Sequence, residues 1–159
     1  MKILIVSDTH GRLGNFSECL RRVSPIDMLI HCGDVEGQED EIRRLAGCET
    51  HIVAGNNDYF SGLPREEEFT IGQYKVFLTH GHGYGVSMGP GRLIEEALSR
   101  GADAVIFGHT HRPLDKKIDG VRLINPGSLS YPRQDGRDPS YILMEFDRSG
   151  NMFVSIAYL

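Results

Sequence analysis

The sequence has no long apolar run, no surplus of positive charge and only three cysteines in 159 residues. Cys19, Cys32 and Cys48 form no C-x-x-C motif and cannot all pair, which argues against a disulfide framework and for free thiols in a reducing cytosol. No apolar stretch approaches the ~20 residues of a membrane helix. The apolar start, MKILIV, is cut off by Asp8, too soon for a signal-peptide core. A cytoplasmic protein with no membrane partner is expected. The formal charge of −5 argues against a partner as long and acidic as nucleic acid. It leaves small phosphate compounds open, because bound cations add positive charge locally.

What is present suits one domain, residues 1–159. Hydrophobic residues make up 40% of the chain and charged residues 25%, enough of each for a core and a solvated surface. Residues 2–7, 28–32 and 51–54 are short apolar runs, read as strands. Between them lie helical patterns at 13–23 and 38–46, giving the β-α-β-α-β alternation of a parallel α/β sheet. Residues 67–71 and 74–79 flank Gly72-Gln73, a hairpin signal. A helix at 91–100 and a strand at 103–107 follow. Strands at 114–118, 121–125, 140–147 and 152–158 close the chain. The charge run Arg65–Glu68 reads as a loop face.

Five polar clusters stand where these strands end: Asp8-Thr9-His10-Gly11, Gly33-Asp34, Gly55-Asn56-Asn57-Asp58, His80-Gly81-His82 and Gly108-His109-Thr110-His111. Ligands of open α/β sheets sit beyond the carboxyl ends of the strands, so the five segments converge on one crevice. Residues i and i+2 of extended chain point to one side, which lets Asp8 act with His10 and His109 with His111. Carboxylate, imidazole and amide oxygen suit Mn, Fe, Zn or Ni better than soft Cu(I), and they are too many for one tetrahedral ion. Two metals sharing a carboxylate is the economical arrangement. Such a pair, roughly 3.5–4 Å apart, clamps an in-line displacement at phosphorus.

The ordered set D-x-H, G-D, G-N-x-D, H-G-H and G-H-T-H resembles the calcineurin-like metallophosphoesterase superfamily. The short length, with SDTHG at 7–11, GNND at 55–58, THGH at 79–82, GHTH at 108–111 and NPGSLSYPR at 125–133, is similar to its small YfcE-type phosphodiesterase branch. The resemblance implies an α/β fold of four layers, an α-β-β-α sandwich. It implies a phosphoric ester hydrolase acting on small phosphodiesters by attack of a hydroxide that bridges two divalent metals, Mn2+ first, with Fe, Zn, Ni or Mg as alternatives. It is also compatible with a homo-oligomer. Residue by residue, Asp8, His10 and His111 hold one metal, Asn56, His80 and His109 hold the other, and Asp34 bridges both.

The sequence departs from that family at position 57. Many members carry a histidine there that protonates the leaving group or steadies the phosphate. An asparagine cannot supply a proton near neutral pH. This favours diesters with good leaving groups over alkyl monoesters. Asp58 is read as orienting Asn57 or a ligand, and both join Asp34 in the catalytic set. Arg12, His82 and Arg133 are candidates for contact with substrate. His31 and His51 are read as structural, and Ser128 lacks the G-x-S-x-G elbow of a nucleophile. Two other readings compete: a phosphomonoesterase or nucleotide phosphatase on the same site, and a non-catalytic binding scaffold resembling the retromer cargo-sorting subunit, which has this fold without the full ligand set.

Overall fold

A computed structural model describes residues 1–159. Strands β1 (Lys2–Val6), β2 (Met28–His31) and β3 (Glu49–Ile52) are parallel neighbours, linked by helices α1 (Gly14–Val23) and α2 (Glu39–Ala46). In α1 the apolar residues Phe16, Cys19, Leu20 and Val23 fall on one face, and all four are buried. Helix α2 opens on Glu39, Asp40 and Glu41 and ends on Arg43 and Arg44, the charge order that complements its dipole.

The second half begins with the hairpin of β4 (Glu66–Ile71) and β5 (Tyr74–Thr79), then helix α3 (Gly91–Ser99) and strand β6 (Ala104–Ile106). Strands β7 (Pro113–Ile118), β8 (Val121–Pro126), β9 (Ser140–Phe146) and β10 (Met152–Tyr158) complete the chain. They form two five-stranded sheets, ordered β10-β9-β1-β2-β3 and β4-β5-β6-β8-β7.

Side-chain alternation builds the layers. On β1, Ile3 and Ile5 face the second sheet and pack with Val76 and Leu78 of β5. Leu4 and Val6 face the other way, onto Phe16 and Leu20 of α1. Phe77 of β5 turns outward onto Leu93 and Ala97 of α3. Three apolar interiors therefore separate four layers, α-β-β-α, with the sheets face to face in the middle. No helix is long and apolar enough to cross a membrane.

Two details differ from the sequence reading. The third strand lies at Glu49–Ile52 instead of 51–54, because Met28 to His31 of β2 pair with those four residues and the apolar run continues past the strand. The charge run at 65–68 is not a loop face. Glu66, Glu67 and Glu68 open β4, with Arg100, His51 and Lys75 as their respective partners, so strand pairing overrides their low β-propensity. The C-terminal strands add antiparallel pairs to the one domain, in keeping with the sequence. Strands β7 and β8 extend the second sheet, and β9 and β10 return to the first.

His31, at the end of β2, is fully buried. The Gly33 N–H donates to its Nδ1 at 3.2 Å, which leaves the proton on Nε2, 3.1 Å from Thr9 Oγ1. Burial, partly opposed by the charges of Asp8 and Asp58, pushes its pKa down to about 4. The folded state thus holds a neutral imidazole that the unfolded chain protonates below its ordinary 6.5. Its contribution is complete above that value and is lost as pH falls towards 4. Urea titrations between pH 7 and 4 should show wild type losing about 3 kcal/mol more than His31→Gln, and parallel curves would refute the assignment. Phe16→Ala, far from the polar strand ends, should cost about 3–5 kcal/mol in the same assay; a cost below about 1 kcal/mol would contradict its place as the main wedge of α1.

Candidate metal centre

All five polar clusters follow the C-terminal ends of strands. Asp8 and His10 leave β1, Asp34 leaves β2, Asn56 leaves β3, His80 leaves β5, and His109 and His111 leave β6. Three of these strands belong to one sheet and two to the other, so the crevice spans the open edge of both. The chain bends sharply there. Asp8, His10, Asp34, His109 and His111 all have positive φ, from 47° to 66°. Such backbone costs about 1–3 kcal/mol per residue, and its concentration in one place marks a functional site. Close approach adds a further constraint. A Cβ on Gly55 would collide with the Asp34 carboxylate, and one on Gly108 with Ser7 Oγ.

Hydrogen bonds fix which nitrogen of each imidazole faces inward. His10 Nδ1 donates to Glu36 at 2.7 Å, His80 Nδ1 to the Cys32 carbonyl at 2.6 Å, and His111 Nδ1 to the Tyr131 carbonyl at 2.7 Å. The network therefore assigns each ring a bare Nε2 that points into the crevice. His109 presents Nδ1 instead, 2.9 Å from Asn56 Oδ1.

The inward atoms are acceptors facing acceptors. His111 Nε2 stands 3.0 Å from Asp8 Oδ1, His80 Nε2 3.1 Å from Asn56 Oδ1, and His10 Nε2 3.5 Å from His111 Nε2. Asp8 Oδ1 is buried with no hydrogen-bond donor. Asp34 Oδ2 lies between the halves, 3.8 Å from His10 Nε2 and 3.6 Å from His80 Nε2. Asp8, His10 and His111 form one triad of converging ligand atoms, and Asp8, Asp34 and His80 form another. Lone pairs held this close need a cation between them. Two carboxylates, four imidazoles and an amide oxygen are the donors that divalent transition metals take, so the residues fit the expected metals.

His111 balances part of the charge that Asp8 brings. Burial raises the Asp8 carboxyl, but the adjoining His111 ring and the charge of His80 outweigh this and hold it low. Burial lowers His111, and the Asp8 carboxylate overcomes it and raises the imidazole. His109 and His82 are both lowered, first by burial and then by His80, so both favour the neutral form.

The remaining candidates fall around this core. Asn57 donates its side-chain N–H to Asp34 Oδ2 at 2.7 Å, and its backbone N–H to Oδ1 at 2.9 Å. Asp58 does not touch the Asn57 side chain. Its carboxylate accepts the backbone N–H groups of Asp34, Val35, Glu36 and Gly55, fixing the loop that carries Asp34. His82 is exposed, its ring 5.4 Å from that of His80. Arg133 lines a cleft of about 590 Å³ that opens beside His10 and His111. Arg12 stands outside that cleft, with its guanidinium 5.0 Å from the ring centroid of Tyr131.

Several supporting residues carry no signal of their own in the sequence. Ser128 Oγ donates to the Asp8 carbonyl and accepts the N–H groups of Ser130 and Tyr131. Ser130 Oγ donates to the Thr9 carbonyl, and Asn125 Nδ2 to that of Gly108. The run NPGSLSYPR at 125–133 contains all three, but serines in a loop are too common to stand out. Glu36, the partner of His10, could not be picked from the other acids without the fold.

Comparison with known proteins follows from this geometry. The chain is 34% identical to a probable metallophosphoesterase of Bacillus subtilis, over 92% of the chain and 85% of that protein. It is 33% identical to a phosphodiesterase of Methanocaldococcus jannaschii, over 80% and 83%. Its fold matches the crystal structure of a predicted phosphoesterase from Streptococcus pneumoniae with a TM-score of 0.80, 26% identity, and coverage of 99% and 97%. It also matches Vps29 of Entamoeba histolytica complexed with Zn2+, with a TM-score of 0.76, 25% identity and 99% coverage of both chains. The calcineurin-like phosphoesterase superfamily domain matches residues 1–149. The chain belongs to the calcineurin-like phosphoesterase superfamily.

Proposed function

We propose that the protein is a metal-dependent phosphodiesterase acting on small phosphodiesters. The observation that carries this reading is the convergence of these acceptor atoms on one point, with Asp8 Oδ1 buried and without a donor. Asp8, His10 and His111 would hold one divalent ion and Asn56, His80 and His109 the other, with Asp34 shared. The position of Asp34 Oδ2 between His10 and His80 supports the sharing. Two ions so held would lower the pKa of a water to about 7 and neutralise charge on the phosphoryl oxygens.

The chain's own groups do the rest. Asp8 and Asp34 bring the negative charge that attracts cations. Glu36 and the carbonyls of Cys32 and Tyr131 hold the imidazoles in ligand form. Asp58 positions Asp34 through the backbone. Asn57 donates to Asp34 and has no proton to give a leaving alkoxide. Hydrolysis therefore depends on a leaving group that departs without an acid, which favours diesters over alkyl monoesters. The likeness to the archaeal phosphodiesterase supports the same preference. Mn2+ is the first metal to try, given the mixed oxygen and nitrogen donors.

All seven ligands lie between Asp8 and His111, while β9 and β10 complete the first sheet. This supports one catalytic domain over 1–159. Three free cysteines, two of them buried, fit a reducing cytoplasm. The scaffold reading draws on the likeness to Vps29, but the full ligand set here supports an enzyme.

Asp34→Asn should lower Mn2+-dependent hydrolysis of bis-p-nitrophenyl phosphate at least ~10²-fold and reduce bound metal below that of wild type. Near-normal turnover with undiminished metal would contradict a shared ligand. Asn57→His should raise hydrolysis of an alkyl monoester such as β-glycerophosphate, relative to the p-nitrophenyl diester, by about tenfold, and an unchanged ratio would remove the argument from position 57. Wild-type protein that neither binds metal nor hydrolyses either ester would favour the scaffold.

A further inference from the structure

The cleft beside His10 and His111 has a charge unlike that of the whole chain. Acidic residues outnumber basic ones, 22 to 17. Yet this cleft is lined by Arg112, Arg133 and Arg137 and by no carboxylate. Five arginines elsewhere are neutralised, Arg21 and Arg22 by Glu18, Arg44 by Glu41, Arg100 by Glu66, Glu68 and Glu96, and Arg122 by Asp115, and the other unpaired ones do not gather in one cleft. None of the three cleft arginines takes part in an ion pair. Asp135 and Asp138, their neighbours in sequence, do not line the cleft.

The backbone is also bent at this point. Arg137 has φ 54°; apart from the metal-centre candidates and Glu36, the only other non-glycine residue with positive φ is Asp119, at the β7–β8 turn. The turn is held by the Arg137 N–H donating to the Gln134 carbonyl and by Gln134 Nε2 donating to the Asp138 carbonyl. Strain kept at an exposed arginine suggests that its direction matters. Arg112 and Arg133 also line an adjoining cleft of about 780 Å³, whose other wall includes Val86, Met88, Phe107 and Leu114. The surface thus offers a cationic floor next to the metal ligands and an apolar shelf beyond it.

We infer that the substrate carries a second phosphoryl group besides the scissile one, held by Arg112, Arg133 and Arg137, with its uncharged body along the Val86–Met88 side. The inference rests on the phosphodiesterase reading for which phosphate is cleaved. Guanidinium groups suit this task because they bind phosphate through paired N–H donors and remain charged at any working pH. The second phosphoryl group keeps all its bonds; it contributes binding only. A bis-anionic ester of modest size fits a cleft of about 590 Å³.

Two matched probes differ only in that group: thymidine 5′-(p-nitrophenyl phosphate) with and without a 3′-phosphate. With the Mn2+-loaded protein, the 3′-phosphorylated ester should show about tenfold higher kcat/KM, mostly through KM. Titration calorimetry should likewise give about tenfold tighter binding of thymidine 3′,5′-bisphosphate than of the 5′-monophosphate. Both preferences should shrink in 0.5 M NaCl and vanish in Arg112→Ala/Arg137→Ala, with metal content measured to confirm an intact centre. Equal kcat/KM and equal affinity in wild type would overturn the inference without any variant. A preference that survives the double substitution would overturn the assignment to these arginines. The activity reading fails separately: tight bisphosphate binding without hydrolysis of either ester would leave the anion site standing and remove the phosphodiesterase.

Discussion

Mutual repulsion among inward-facing acceptors is the constraint on which the rest of the structure depends. Asp8 Oδ1, Asp34 Oδ2, Asn56 Oδ1 and four imidazole nitrogens are gathered where water is largely excluded. Without cations such a cluster opposes folding, since buried carboxylates and lone pairs lose their hydration. The bent backbone at five of the ligands adds about 1–3 kcal/mol each. Three apolar interiors offset this cost, and the sandwich explains how. The ligands sit on strand ends whose other residues, such as Ile5, Ile30, Leu78 and Ile106, are locked between the two sheets. Binding of metal then stabilises the folded state in proportion to its concentration over its dissociation constant.

A second tier of hydrogen bonds turns that gathered charge into a defined geometry. Its members act almost entirely on backbone. The Asp58 carboxylate takes up four N–H groups around Asp34 and Gly55, and Ser128 and Ser130 bind the carbonyls of Asp8 and Thr9. His31 links Gly33 to Thr9, joining the loop after β2 to the loop after β1. Backbone is the right target because the ligands come from separate strands. Fixing the main chain at each strand end sets where a side chain can point before any metal arrives, and metal sites lose affinity steeply when such support is removed.

The sequence made the strand ends legible and left the second tier dark. That Asp8, His10, Asp34, His80, His109 and His111 converge was legible, because metal chemistry needs rare side chains at fixed offsets, next to glycines that allow the bends. Short apolar runs alternating with helical patterns made the α/β class readable, whereas the four layers came from the family resemblance. The β4 acids misled, because Glu66, Glu67 and Glu68 are stabilised by Arg100, His51 and Lys75, partners up to 34 residues away. Asp58 was noticed, but its target was not: it holds the Asp34 loop and leaves the Asn57 side chain alone. Local spacing cannot show which backbone amides a carboxylate will reach. The arginine cleft was half visible, through Arg133; Arg112 and Arg137 join it only because the 132–139 loop folds back on the start of β7.

Position 57 and the arginine cleft belong to one electrostatic arrangement. The Asn57 amide donates to Asp34 Oδ2 without bringing charge. A histidine there could be protonated, and an imidazolium against Asp34 would draw off negative potential that the cations need. The amide therefore keeps the metal centre strongly anionic and gives up acid catalysis. Positive charge for the substrate has to come from elsewhere, and the chain provides it on the far side of His10 and His111, at Arg112, Arg133 and Arg137. There it faces the incoming phosphoryl groups and is kept apart from Asp8 and Asp34 by the imidazoles. Separated in this way, the two charges do not cancel: on the proposed reading the acids would hold cations, the arginines an anion, and the scissile phosphate would lie at the boundary between them.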